Sequence, residues 1–127
     1  MYETKCVFCN HDEVVAENKL AQAFYDKYPV TTGHLLIVPK RHVKGCFDLY
    51  QPELNAVNRL MRELREKLLS EDPSITGFNV GTNDGVDAGQ TVMHCHVHLI
   101  PRREGDVENP MGGVRGIIPE MQNYLKS

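Results

Sequence analysis

Between residues 89 and 102 the chain reads GQTVMHCHVHLIPR, with histidine at every second position: His94, His96 and His98. A period of two is that of an extended strand, whose successive side chains point to opposite faces. One face then carries three imidazoles, about 7 Å apart at a rise of ~3.3–3.4 Å per residue. The other carries Cys95, Val97 and Leu99, an apolar row suited to a core. Any fold of this chain has to bury one side of the strand and leave the other to polar work.

The rest of the sequence supplies material for both sides. Residues 14–18 (VVAEN), 23–26 (AFYD) and 34–40 (HLLIVPK) are short runs rich in β-branched or aromatic residues, separated by turn formers such as Pro29 and Gly33. They predict an antiparallel meander. From residue 52 to about 70 the period changes to that of a helix, with Leu54, Val57, Leu60, Met61, Leu64 and Leu68 on one stripe. Pro52 suits the start of that helix, where its missing N–H costs nothing. On the polar face Arg62 with Glu66 and Glu63 with Lys67 stand at i,i+4, a spacing for surface ion pairs. Residues 78–83 (FNVGTN), the loop DGVDAG (84–89) and a strand over residues 91–100, halted by Pro101, complete the pattern. Strands, one long helix and two further strands predict an α+β fold with the helix on one face of an antiparallel sheet. At 127 residues the chain is expected to be a single domain, a core over 1–102 followed by a loop-rich tail over 103–127.

Three imidazoles on one face are costly as filler, because each has two ring nitrogens that need partners. Three histidines with no joint role are one reading. A three-histidine zinc site is another, although the outer pair would have to converge over a long span. The third is nucleophilic attack on phosphorus. A neutral imidazole, with pKa near ~6.5, can attack at neutral pH without a strong base, while flanking rings donate hydrogen bonds to phosphate oxygens. The adjoining NDGVDAGQT favours the third reading. Its small residues let backbone N–H groups approach a phosphate, and Asn83, Gln90 and Thr91 add side-chain partners.

Composition narrows the partners. A net charge of −3 shows no basic excess for nucleic acid, and no apolar run is long enough for a membrane span. No charged-then-apolar start resembles a signal peptide, so a cytoplasmic protein is expected. Of four cysteines, Cys6 and Cys9 form a CxxC, a spacing that in a reducing compartment points to metal or redox chemistry before structural bridges.

GQTVMHCHVHLIPR closely resembles the signature of the histidine triad (HIT) family, and the likeness extends upstream through AFYDKYPVTTGHLLIVPKRH (23–42) and NDGVDAGQ. It implies a nucleotide-binding α+β fold with a five-stranded antiparallel sheet and one long helix packed on it, usually as a homodimer. The implied activity is hydrolysis or transfer of nucleoside monophosphates through a nucleotidyl-histidine, on a purine nucleotide or a dinucleoside polyphosphate such as diadenosine tetraphosphate. By position, His96 resembles the nucleophile, His98 the contact to the α-phosphate, and His34 a supporting histidine. Asp26 resembles the acceptor for ribose hydroxyls, and Asn83, Gly89, Gln90 and Thr91 the phosphate-binding stretch. Members with an N-terminal CxxC are similar in carrying a structural zinc, here implied on Cys6, Cys9, His42 and His94. In members without the CxxC the first histidine of the triad assists the leaving group, so a zinc-bound His94 would not be available for that work. Arg102, at the end of the core, and Arg103 and Arg115, in the glycine-bearing tail, could reach a long polyphosphate.

Overall fold

A computed structural model describes residues 5–11 and 13–124. Five strands, β1 (Ala16–Glu17), β2 (Ala21–Tyr25), β3 (Leu35–Pro39), β4 (Ile75–Gly81) and β5 (Val97–Arg103), form one antiparallel sheet in the order β1-β2-β3-β5-β4. One long helix, α1 (Gln51–Glu71), connects β3 to β4. This is the α+β sheet-and-helix arrangement expected from the sequence.

The register sorts the side chains into two faces. Leu36 lies opposite both Phe24 and His98, so these three share a face, and Ile37 lies opposite Ala23 and Val97 on the other. On that second face Ala21, Ala23, Leu35, Ile37 and Leu99 pack with Ala56, Val57, Leu60, Leu64 and Leu68 of α1 as one buried core. Each fully buried Leu or Ile there contributes roughly 1.5–3 kcal/mol relative to exposure. The first face has a smaller cluster of Phe8, Phe24, Leu36 and Val38. With the helix covering one side, the histidine side remains for a site.

The helix begins one residue before Pro52, and its stripe is shifted from the expected one. Leu54 is exposed, Met61 is only partly buried, and Ala56 takes a core position. Glu53 is buried in the first turn because its carboxylate accepts bonds from Arg41 at 2.8 Å and from the Tyr50 N–H at 2.9 Å. On the exposed face Lys67 pairs with Glu71 and Arg65 with Glu66, in place of the two expected pairs.

The last strand differs more. It starts at Val97, so His94 and His96 precede it in a bent segment, and only His98 lies within it. Alternation persists through the bend: Cys95 is buried, Val97 packs against the helix-side core and Leu99 belongs to it. Pro101 does not halt the strand. Beyond Leu99 the pairing with β3 has ended, and Pro101 pairs only with Phe78 of β4, so a residue without an N–H is tolerated at that margin.

Candidate active site and metal centre

Hydrogen bonds to groups that can only donate or only accept decide which nitrogen of each ring holds the proton. His96, buried, makes a 2.8 Å bond from Nδ1 to the carbonyl oxygen of His94. A carbonyl only accepts, so Nδ1 has the proton and, in the neutral ring, Nε2 has the lone pair. The His98 ring lies 5.2 Å away, centroid to centroid. Its Nδ1 is 2.9 Å from Nε2 of His34, whose own Nδ1 accepts the Val30 N–H at 3.0 Å. His34 Nε2 is therefore the donor, His98 Nδ1 the acceptor, and the remaining His98 proton sits on Nε2. A lone pair on His96 and an N–H on His98 stand side by side, the two functions that attack on a phosphate needs.

Burial favours the neutral forms of His98 and His34. It pushes His98 down to about 4, and the neighbouring His96 and His34 rings act in the same direction. Burial also lowers His34, partly opposed by the Asp26 carboxylate, whose Oδ2 lies 3.5 Å from His34 Nε2. Asp26 accepts the Tyr28 N–H at 2.9 Å through its other oxygen. Asp26, His34 and His98 also lie close enough together to meet the geometry of a metal site, but the hydrogen bonds just described account for their grouping.

The loop before the histidines is built around Gln90, which is buried. Its Oε1 accepts the Gly85 N–H at 2.8 Å and its Nε2 donates to the carbonyls of Lys44 and Val92 at 2.8 and 3.1 Å. Both amide protons are thus engaged by backbone, so Gln90 shapes the loop and has no donor left for a phosphate here. Gly85 and Gly89 adopt φ of +98° and +97°, values that L side chains rarely take, and so permit the turn over Val86–Ala88. Thr91 and Gly89 are exposed, and the Asn83 amide approaches Gly89.

Next to this pocket is a second cluster. His94 is fully buried and its Nε2 donates to the Pro39 carbonyl at 2.8 Å, so its lone pair is on Nδ1. That atom lies 3.3 Å from Cys6 Sγ and 3.4 Å from Cys9 Sγ, while His42 Nδ1 lies 3.4 Å from Cys9 Sγ. All four ligand atoms fall within 4.8 Å of one another, which makes them a possible metal-binding group. The donor set suits tetrahedral zinc: bonds of ~2.3 Å to sulfur and ~2.0–2.1 Å to nitrogen place such atoms about 3.5 Å apart. The Pro39 carbonyl serves as the outer partner that fixes the tautomer of a ligating histidine. His94 thus faces the thiols with one nitrogen and the backbone with the other, and neither is available to a phosphate.

The same knuckle touches the site directly. The Phe8 ring, between the two cysteines, meets His96 edge-on at 4.9 Å and packs on Phe24 at 5.3 Å. Sequence reasoning did not find this contact, nor the close approach of Cys46 to Cys95, because neither belongs to a recurring spacing. The arginines expected to reach a polyphosphate are engaged with partners of their own. Arg102 is bound through two nitrogens to Asp106, Arg103 to Asp72 and the Thr32 carbonyl, and Arg115 to the Met121 carbonyl and the Tyr124 ring.

Comparison with known proteins assigns this arrangement a class. A model of the HIT domain matches residues 8–105, and the chain belongs to the histidine triad (HIT) family. Its sheet and helix superpose on a HIT family protein from Bacillus anthracis with a TM-score of 0.74, at 34% identity over 81% of this chain and 77% of that one. A zinc-bound histidine triad family protein from Mycobacterium smegmatis is similar at a TM-score of 0.72 and 30% identity, covering 80% of this chain and 78% of that one. In sequence the chain is 39% identical over 94 residues to the asymmetrical bis(5'-nucleosyl)-tetraphosphatase of Schizosaccharomyces pombe. That match covers 74% of this chain and 51% of the relative, about half of its length.

Proposed function

We propose that the protein is a nucleotide hydrolase that cleaves dinucleoside polyphosphates, such as diadenosine tetraphosphate, through a nucleotidyl-His96 intermediate. The observation that carries this reading is the proton arrangement, a lone pair on His96 Nε2 next to an N–H on His98 Nε2. His96 Nε2 attacks the α-phosphorus, an N–P bond forms, and the bond to the bridging oxygen breaks. His98 donates to a phosphoryl oxygen as charge builds there, and His34 positions His98. Water then attacks the same phosphorus, the N–P electron pair returns to Nε2, one water proton is released to solvent, and a nucleoside monophosphate leaves. Asp26 is assigned to the ribose hydroxyls, and Asn83, Gly89 and Thr91 to the phosphates, with Gln90 ordering their loop. Zinc on Cys6, Cys9, His42 and His94 is assigned a structural role, supported by the donor set and by the zinc-bound relative. In this reading the chain is one domain, acts in the cytoplasm as a homodimer, and extends its sheet at β4, whose outer edge meets no further strand among the described residues.

The leaving group follows from His94. An amine must gain a proton as it departs, whereas a nucleoside polyphosphate departs as an anion. With both His94 nitrogens engaged and His98 held neutral at a pKa of about 4, the site has no strong acid for a departing amine. This supports polyphosphates over phosphoramidates, independently of the tail arginines, which are held in their own pairs. The test is mass spectrometry of protein quenched without acid after brief incubation with diadenosine tetraphosphate, run for wild type and His96→Gly. A nucleotidyl adduct on wild type alone is expected, with faster turnover of tetraphosphate than of adenosine phosphoramidate. Nucleotide binding with neither adduct nor turnover would make the protein a binding module, and faster phosphoramidate cleavage would overturn the leaving-group assignment.

A further inference from the structure

The thiols of Cys46 and Cys95 lie 2.7 Å apart although the residues are 49 positions apart in sequence. Sulfurs in a disulfide are ~2.05 Å apart, so closing about 0.7 Å would join them. The backbones around them are already fastened, since the Cys95 N–H donates to the Val43 carbonyl at 2.7 Å, three residues before Cys46. Both cysteines are free thiols, and neither belongs to the four-residue metal group, so metal binding would not shield them. Cys46 is half-buried at the start of the 3-10 turn Cys46–Asp48 and can meet solvent, whereas Cys95 is buried behind it.

We propose that Cys46 and Cys95 are an oxidation site, a dithiol that a peroxide converts to a disulfide tying the turn before α1 to the segment between His94 and His96. Accessibility sets the order of events. The Cys46 thiolate attacks one oxygen of hydrogen peroxide, the O–O bond breaks, and Cys46 becomes a sulfenic acid as hydroxide departs and takes up a proton to form water. Cys95 sulfur then attacks the Cys46 sulfur, the S–O bond breaks, and a second water leaves with the Cys95 proton. Two thiols and one peroxide yield one disulfide and two waters. Hydrogen bonding from Cys95 favours the first step, because it holds the Cys46 thiol down near 7, within reach of neutral pH.

The pair is connected to the nucleophile through Thr82. Cys46 donates to Thr82 Oγ1 at 3.3 Å, and that hydroxyl donates to the His96 carbonyl at 2.8 Å. Oxidation removes the Cys46 donor and fixes in a covalent bond a contact the fold already makes.

The experiment treats metal-loaded protein with one equivalent of hydrogen peroxide, blocks free thiols and maps peptides by mass. The expected product is a cross-link between the peptides of Cys46 and Cys95, reversed by dithiothreitol, with Cys6 and Cys9 unlinked. Cys46→Ser should abolish the link, and Cys95→Ala should stop Cys46 at a sulfenic acid trappable by dimedone. Should Cys95→Ala fail to fold, the wild-type map and Cys46→Ser decide the matter. A first-formed Cys6–Cys9 bond with free Cys46 and Cys95, or no cross-link while Cys46 is oxidised further, overturns the proposal.

Discussion

His34 shows how one residue can set the proton arrangement of another. Its two ring nitrogens lie between the Val30 N–H and His98, so the direction of one backbone donor fixes the tautomer of the next ring. Replacing it, as in His34→Phe, frees His98 to rotate and to place its proton on either nitrogen. The expected result is a fall in kcat on the order of 10²-fold with KM little changed, the pattern of lost alignment. Comparable losses in KM would mean that His34 acts on binding. Burial of these rings also predicts a pH dependence of stability. His98 titrates at about 4 when folded against ~6.5 unfolded, and His34 and His94 are lowered too. The unfolded chain then takes up protons first, so stability is full above about pH 6.5 and declines as pH falls toward 4. Asp72 and Asp106, held below their ordinary 3.8 by hydrogen bonds to Ser74, Arg103 and Arg102, weaken the fold only at still lower pH. A urea midpoint that stays flat between pH 7 and 4.5 would contradict this. The three alternating histidines were legible as a group in the sequence because their period singles them out. Their tautomers were not, because those depend on carbonyls and N–H groups that no letter encodes.

Among the elements, α1 and the segment entering β5 were legible to different degrees. The helical period located α1 within a residue or two of its ends, because a core-facing stripe repeats over its whole length. Leu54 was misplaced because Ala56, too small to stand out in a hydrophobic pattern, takes the buried position. Leu60 is fully buried at the centre of the helix–sheet core, and Leu60→Ala is expected to cost about 2–5 kcal/mol in chemical denaturation. A loss under 1 kcal/mol would mean that the core closes over the gap. Strand β5 begins at Val97, six residues later than its pattern suggested. The cause is local: His94 turns toward Cys6 and Cys9, and Cys95 bonds to the backbone of Val43, outside the ladder that β3 and β5 share. Side-chain alternation can persist where strand pairing does not, and only alternation is written in the sequence.

Across the whole molecule, the knuckle of Cys6 and Cys9, the strand pair β2–β3 and the histidine segment converge on one face of the sheet. Phe8 transmits that convergence to His96. On the proposed zinc assignment, a chelator is expected to lower Tm and, because Phe8 loses its anchor, to lower turnover in parallel. Stability unchanged by metal content would exclude a structural ion, and a lowered Tm with full turnover would separate the knuckle from the catalytic ring. The His94 carbonyl that receives the His96 proton has a further implication for inheritance. A point mutation exchanges side chains and leaves the carbonyl in place, so one arm of the proposed catalytic arrangement is beyond the reach of ordinary substitution. Random drift at position 94 can remove a member of the possible metal-binding group, yet it removes the hydrogen-bond partner of His96 only by bending the backbone. Lineages that lose the cluster of cysteines and histidines can therefore keep the proton arrangement of His96, provided that another means of holding this bend replaces it.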